Sequence, residues 1–552
     1  MPMIATRSPD TGVCARCRPD PAWRRALREH NSHTPDAGRV GEALRRADVV
    51  VLQDAFADTA TAASADLLLP ATTWGEKSGT VTNSERRISR VCAALDPYGE
   101  ARADWAIAAG FARRLESALA ARGIERRRDP AAGSLFAWPD IETVWNEHRG
   151  LTRGRDLDIT GLSYSLLERL GPQQWPMPAG ASAGTARLYT GRRFASADGR
   201  ARFAAIDGGS PAEPTDETYP PALLPGRLRD QWHGMSRTGL VGRLFGHEPE
   251  PVIELAGADC IAGGLRDGDL VQIASRRGAQ VLPLRRSESL QPGTAFVAMH
   301  WGPEFLAGGA GINALTLPVV DPVSQQPELK HCAVRIGRAS LPQRLVAFGW
   351  LEAGRVVRAR RELLALVRDL PFASSVPFGR DAEGVLLRAA SDQPFDTTLI
   401  RAIETAFGVS ETPLATLDDP RSGGRRHLLL AAGRLRFVLL AGADTESEPW
   451  LRELLVQAAD AAAFGSRLLA PGATPPLAIE HRGRSVCNCV GVTETPIRAA
   501  LESAGGGRAE RIEAARRLTG CGSQCGACLV EVGRLADDCL RRLGEAAVGT
   551  AA

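Results

Sequence analysis

The sequence predicts a multidomain protein of mixed class: a partial doubly wound α/β region, a small β-barrel, an α+β domain and a short helical, cysteine-rich end. Three observations lead there. Early in the chain, short apolar runs alternate with helical stretches. From about residue 225 the runs become strand-like and are separated by Gly and Asp. Of eleven cysteines, six fall between residues 487 and 539. At 552 residues the chain exceeds one ordinary domain.

Residues 1–34 are polar, Arg-rich and Pro-containing, with no sustained period, and are expected to be poorly ordered. Their Cys14-x-x-Cys17 pair has no partners and reads as chance. From Gly41 the texture changes. "GEALRRA" reads as a helix end, and "DVVVLQD" and "ADLLLPA" as buried parallel strands. "DWAIAAGFARRLESALAA" reads as an amphipathic helix with an acidic start. Residues 125–225 are rich in Pro and Gly and give no clear assignment. Between Pro225 and Arg338 the runs "VIELA", "LVQIAS", "QVLPLRR", "TAFVAMHW" and "CAVRI" predict an all-β unit, with "SRRGAQ" as a hairpin turn. Residues 340–475 alternate helical segments ("VVRARRELLALVRDL", "EPWLRELLVQAADAAAFG") with strands ("GVLLRAA", "HLLLAA", "RFVLLAG"), and "APGATPPLAIEHRGR" reads as a linker.

Composition narrows the function. No apolar run is long enough to span a bilayer, so no membrane role is expected. A net charge of +3 with dispersed arginines gives no electrostatic case for nucleic acid. The start carries no apolar export signal, so a cytoplasmic location is expected. Among 67 basic residues only two are lysine, Lys77 and Lys330, which marks both for a task that suits a compact ammonium. Cys92, Cys260 and Cys332 stand alone in apolar surroundings and are expected to be buried.

At the cysteine-rich end, Cys487-x-Cys489 and Cys525-x-x-Cys528 are two thiolate pairs that together can complete a four-sulfur site for zinc or an iron–sulfur cluster. Thr495 followed by Pro496 predicts a helix start. "ERIEAARRL" predicts a second helix closed by Gly520, and Leu529, Val532, Leu535, Cys539 and Leu543 mark a third. That third helix begins beside Cys528, where its free N–H groups favour the charge of a thiolate-bound cluster. Cys521 lies outside the four-ligand pattern as a buried thiol or spare ligand, and Cys539 belongs to the core. "VCNCVGVTETPI" and "CGSQCGAC" resemble the [2Fe-2S] domain of the bacterioferritin-associated ferredoxin type.

"VLQDAFADTATAASADLLLPATTWGEKSGTVTNSERRISR", with "PYGEARADW", "GRLRDQWHGMSRTG" and "INALTLPVVDPVSQQPELKHCAVRI", resembles the molybdopterin oxidoreductase family, and within it the assimilatory nitrate reductases. The resemblance implies a bis-molybdopterin guanine dinucleotide cofactor. It implies contacts to that cofactor from Gln53, Asp54, Lys77 and Asp104, from Arg227, Trp232 and His233 in the loop Gly226 to Gly234, and from Trp301, Asn313 and Lys330. Both lysines of the chain fall on these positions. Patterning and resemblance together divide the chain into a poorly ordered or non-homologous start at 1–34, a partial α/β cofactor domain at 35–225, a double-psi-type β-barrel at 226–340, an α+β domain with linker at 341–480, read from patterning alone, and a [2Fe-2S] domain at 481–545.

The implied activity is molybdenum-dependent reduction of nitrate to nitrite, fed by the [2Fe-2S] cluster. The electron donor would be a separate protein: a ferredoxin, a flavodoxin or an NADH-dependent reductase. The family's [4Fe-4S] motif and the segment bearing its molybdenum ligand have no counterpart here. No catalytic residue can therefore be carried over, and the chain reads as part of a truncated, frameshifted or split enzyme. Two alternatives stand beside this: another substrate for the same cofactor, such as formate, and a noncatalytic electron-transfer or cofactor-binding fragment.

Overall fold

A computed structural model describes residues 26–27, 34–124, 133–203, 208–472, 474–479 and 482–549. Cys14 and Cys17 lie outside the described residues. The start expected to be poorly ordered contributes one element: Ala26–Leu27 pairs in parallel with Val51–Leu52. Val51–Asp54 pairs in turn with Leu67–Pro70, giving a three-stranded parallel sheet with helix Ala37–Arg45 against it. These strands were expected to be buried. Instead Leu67 and Leu68 are 51% and 42% exposed, because Leu67–Pro70 is the edge strand of its sheet. Helix Asp104–Ala121 buries only Ala109.

Residues with no clear sequence assignment form a compact satellite. Strands Gly79–Thr82, Arg87–Val91 and Gln173–Gln174 make a small antiparallel sheet. It packs with helices Ile141–Gly150 and Tyr164–Leu170 around Ile88, Trp145, Leu162, Leu167 and Met177. Cys92, expected to be buried, is exposed, since it follows the last paired residue of Arg87–Val91. Cys260 and Cys332 are buried as expected.

The all-β region is a seven-stranded sheet whose two edges are Cys332–Ala333 and Arg335–Arg338. Only Val334 separates those edge strands in sequence, so the sheet must curl until its edges meet. Two parallel pairings lie inside it, Ala222–Gly226 with Thr294–Ala298 and Ile253–Ala256 with Ala279–Ser287. The expected hairpin is present, Ser275 N–H donating to Gly278 O at 2.9 Å.

Beyond it, a second seven-stranded sheet is wholly antiparallel and carries helices Val356–Leu366, Thr397–Phe407 and Glu448–Gln457. Its edge strand Leu306–Ala307 leaves the barrel region to pair with Phe372–Phe378. One hydrophobic core therefore runs from Ile253 and Trp301 through Phe348 to Leu455.

The last region is three helices, Glu494–Ser503, Arg508–Thr519 and Leu529–Gly549, with the hairpin Ser485–Cys487 and Val492–Thr493. The first helix begins earlier than expected: Thr493 is its N-cap, not Thr495, and Pro496 sits within the first turn. That shift is cheap, because the N–H that proline lacks has no acceptor in a first turn. Gly520 closes the second helix in the left-handed region at φ 75°, as expected. Among the described residues no helix is long and apolar enough to cross a membrane.

Candidate functional site

Parallel strands deliver side chains to the loops at their C-terminal ends, where ligands of such sheets bind. Gln53 and Asp54 end strand Val51–Asp54, and Asp104 opens helix Asp104–Ala121. The fold joins them. Gln53 Nε2 donates to Asp104 Oδ1 at 2.7 Å, and Lys77 Nζ lies 2.8 Å from Asp104 Oδ2. Lys77 also sits over the Trp74 ring, 5.6 Å from its centroid. Asp54 Oδ1 accepts from Phe56 N–H at 3.0 Å, which turns the chain into the next loop. The four residues form one polar cluster at a sheet end, about three-quarters shielded at Lys77 and Asp104.

The barrel repeats the logic. Ala222–Gly226 and Thr294–Ala298 run parallel and end side by side, Gly226 opposite Ala298, with Met299 N–H donating to Gly226 O at 2.8 Å. Every barrel candidate lies just beyond those ends. Arg227 Nη2 is 3.0 Å from His233 Nε2, and Trp232 is flanked by the Arg227 and Arg237 guanidiniums at 5.9 and 4.7 Å. His300, fully buried, accepts from Leu228 N–H at 3.0 Å through Nε2 and bonds the His233 carbonyl through Nδ1, which locks the loop to the strand end. The loop is strained: His233 and Met235 hold φ of 34° and 60°, where non-glycine residues are uncommon outside functional sites. Lys330 is exposed, its ammonium 3.8 Å from Met299 Sδ. Asn313 is buried in the turn Ile312–Ala314, whose Ile312 N–H bonds Trp301 O at 3.1 Å.

Trp301 sits deeper than a wall residue. It is 1% exposed, packed on Phe245 and Phe305, and its Nε1 is buried with no acceptor among the described residues. An orphaned indole N–H is costly and suits a ligand atom as its partner.

The loops beyond the two clusters meet. Phe56, Asp58 and Thr59, beyond Asp54, share a small cavity with Gly234, Met235 and Ser236, beyond His233. Glu304 and Arg360 line it too. Glu304 Oε1 accepts from Ala60 N–H at 2.5 Å, and Arg361 pairs with Asp58. Burial pushes the Glu304 carboxyl up and lowers Arg360 to about 10, the latter partly opposed by Glu304. None of these four residues carries a signal in the sequence, since their partners are up to 303 positions away (361 minus 58).

The donor set fits a phosphorylated dinucleotide: Lys330 and Arg227 as cations, Asp54 and Asp104 as acceptors for ribose or base N–H and O–H groups, and Trp301 Nε1 as an unpaired donor.

The thiols gather in a separate group. Cys487 Sγ is 3.6 Å from Cys489 Sγ, which is 3.7 Å from Cys525 Sγ, and the Cys528 thiol lies against Cys487. Thiolates on one tetrahedral metal at about 2.3 Å stand about 3.8 Å apart, and each of these two spacings is close to that value. Burial pushes Cys528 up to about 12, reinforced by Cys487, whereas the Cys525 backbone N–H pulls Cys489 down. Cys521 and Cys539 are buried in the surrounding core, and burial raises the Cys521 thiol. Among the described residues no group of three or more His, Cys, Asp or Glu side chains is arranged to hold a single metal ion.

Residues 26–114 match the family model Molybdopterin oxidoreductase, and residues 222–333 match the Molydopterin dinucleotide binding domain. These two segments are similar to molybdopterin oxidoreductase domains. The matches cover both sheet ends described above. Among curated relatives, the chain is 34% identical to the nitrate reductase of Klebsiella oxytoca over 90% of its own length and 53% of the relative's. It is 41% identical to the nitrate reductase of Synechocystis sp., over 55% of this chain and 41% of that one. An F420-dependent formate dehydrogenase subunit alpha of Methanocaldococcus jannaschii is 33% identical, again over 55% of this chain and 41% of the relative. The chain thus spans about half the length of the relatives it matches.

Proposed function

We propose that this chain is the C-terminal part of a molybdenum-dependent nitrate reductase of assimilatory type, in which a [2Fe-2S] cluster relays electrons to a bis-molybdopterin guanine dinucleotide centre. The observation that carries this reading is the convergence of the two molybdopterin domains. Gln53, Asp54, Lys77 and Asp104 cluster at the end of one sheet and Arg227, Trp232 and His233 at the end of the other, and the loops that follow them, through Phe56, Asp58 and Thr59 and through Gly234, Met235 and Ser236, line one small cavity. The barrel is read as double-psi type on its two parallel pairings.

When bound, the molybdenum centre supplies two-electron oxygen-atom exchange with the oxyanion. The protein's share is to bind and orient. Asp54 and Asp104 accept from a guanosine, and Gln53 and Lys77 hold Asp104 at the angle that this needs. Arg227 and Lys330 neutralise phosphates, while the His300 clamp keeps the strained loop pre-formed.

The four thiols are read as ligands of a two-iron cluster on their C-x-C and C-x-x-C spacing and on the Sγ separations of 3.6 and 3.7 Å that bring Cys487, Cys489 and Cys525 together. The Klebsiella oxytoca relative favours nitrate over formate for a specific reason. Its 90% coverage leaves about 55 residues unmatched, so the match must reach into the cysteine-rich end, whereas the formate dehydrogenase match covers 55% of the chain.

Pterin content tests the reading. Chain purified from molybdate-fed cells, together with a polypeptide supplying the remaining half of its relatives' length, is expected to release oxidised pterin and GMP. Lys77→Met and Lys330→Met should each lower that yield about tenfold, the loss of one charge-assisted contact. Viologen-linked turnover is expected with nitrate and not with formate. Pterin absent from the assembled protein contradicts the proposal, and turnover of formate alone transfers it to the other substrate.

A further inference from the structure

The loop that carries Arg227 and His233 also touches the thiol group, through its next residues. Arg229 Nη2 donates to the Val486 carbonyl, one residue before Cys487. Arg229 Nη1 lies 2.7 Å from Glu531 Oε2, in the first turn of the helix that follows Cys528. Arg229 Nε is 3.1 Å from Asp230 Oδ2, and that oxygen accepts from Asn488 Nδ2, between Cys487 and Cys489, at 2.9 Å. His247 at 3.1 Å and Arg484 complete the shell of Glu531. Arg380, from the antiparallel-sheet domain, donates to the Asn488 and Cys489 carbonyls at 2.8 and 3.1 Å.

We propose that Arg229 is the positioning residue that joins the thiol site to the barrel loop, by gripping both thiol-bearing segments with one guanidinium. A planar fork with five donors in fixed directions can hold a carbonyl, a carboxylate on the opposite segment and its own neighbour at once, which a lysine cannot. Both halves of the thiol site are thereby registered against the loop that also presents Arg227 and His233. The Arg229 guanidinium reaches the carbonyl one residue before Cys487, where a positive charge favours the more negative, reduced form of a cluster held by that segment. The electronic part of this inference rests on the relay function proposed above; the mechanical part does not.

The test uses the full chain with Arg229→Met and Arg229→Lys, and two readouts. Hydrogen exchange of residues 226–234 and 484–490 is expected to accelerate about tenfold in Arg229→Met, the loss of a charged hydrogen-bond network, and less in Arg229→Lys. The reduction potential of the cluster is expected to fall in Arg229→Met and to recover in Arg229→Lys. Unchanged exchange in Arg229→Met overturns the clamp. Faster exchange with an unmoved potential overturns the electronic coupling. A wild-type chain without iron and acid-labile sulfide defeats the relay reading instead, and the exchange result then judges the clamp alone.

Discussion

The cysteine-rich end and the α/β region at the start of the chain use their apolar residues to opposite effect. In the former, Val486, Ile497, Leu501, Ala515, Val532 and Ala536 are essentially inaccessible and pack with Cys487, Cys521, Cys528 and Cys539 in a core of their own, while Cys525 stays exposed. In the latter, the core is Val40, Leu44 and Val50, while Leu67, Trp74, Leu95 and Phe111 are more than half exposed. The difference teaches that a recognisable sequence segment and a self-sufficient folding unit are separate things. The thiol region supplies its own packing. The Gln53–Lys77–Asp104 cluster lies at the end of a sheet whose edge strand exposes Leu67 and Leu68, apolar surface of the kind that marks an interaction site.

Local stability measured by hydrogen exchange can break this contrast. Leu501→Ala should lower the opening free energy of helix Glu494–Ser503 by about 2–5 kcal/mol, since a fully buried leucine is replaced by a cavity. Gly522→Ala should cost about 2 kcal/mol at the same end. Its φ is 71°, and an added Cβ would stand 2.4 Å from Leu529 Cδ2. Leu67→Ala should change the opening of strand Leu67–Pro70 by less than about 0.5 kcal/mol in the chain alone. A large effect at Leu67, or a negligible one at Leu501, would erase the distinction.

Much of this was legible in the sequence, for reasons that vary by residue. The helices around the thiols were readable because their punctuation is local: Gly520 ends one helix, and Leu529 opens the next beside Cys528. The thiol group was readable because paired spacings at Cys487 and Cys525 are rare by accident. Resemblance placed Gln53, Lys77 and Asp104, but nothing in the spacing of residues 51 and 27 positions apart shows that they bond one another. The exposure of Leu67 and Cys92 was missed because an apolar run states preference for burial, not the presence of a neighbour to provide it. Strands Gln343–Trp350 and Phe372–Phe378 were passed over because both faces of a central strand are buried, which erases the alternation that announces a strand. Arg229, Glu304 and Glu531 were invisible for a simpler reason, their partners being hundreds of residues distant.

An electron relay at the thiol site requires a bound cluster, which metal analysis of the full chain detects. Anaerobically purified protein is expected to contain two iron and two acid-labile sulfide per chain, as a [2Fe-2S] centre requires, with a paramagnetic signal on one-electron reduction that is lost in Cys489→Ser. One zinc per chain with no sulfide would contradict it.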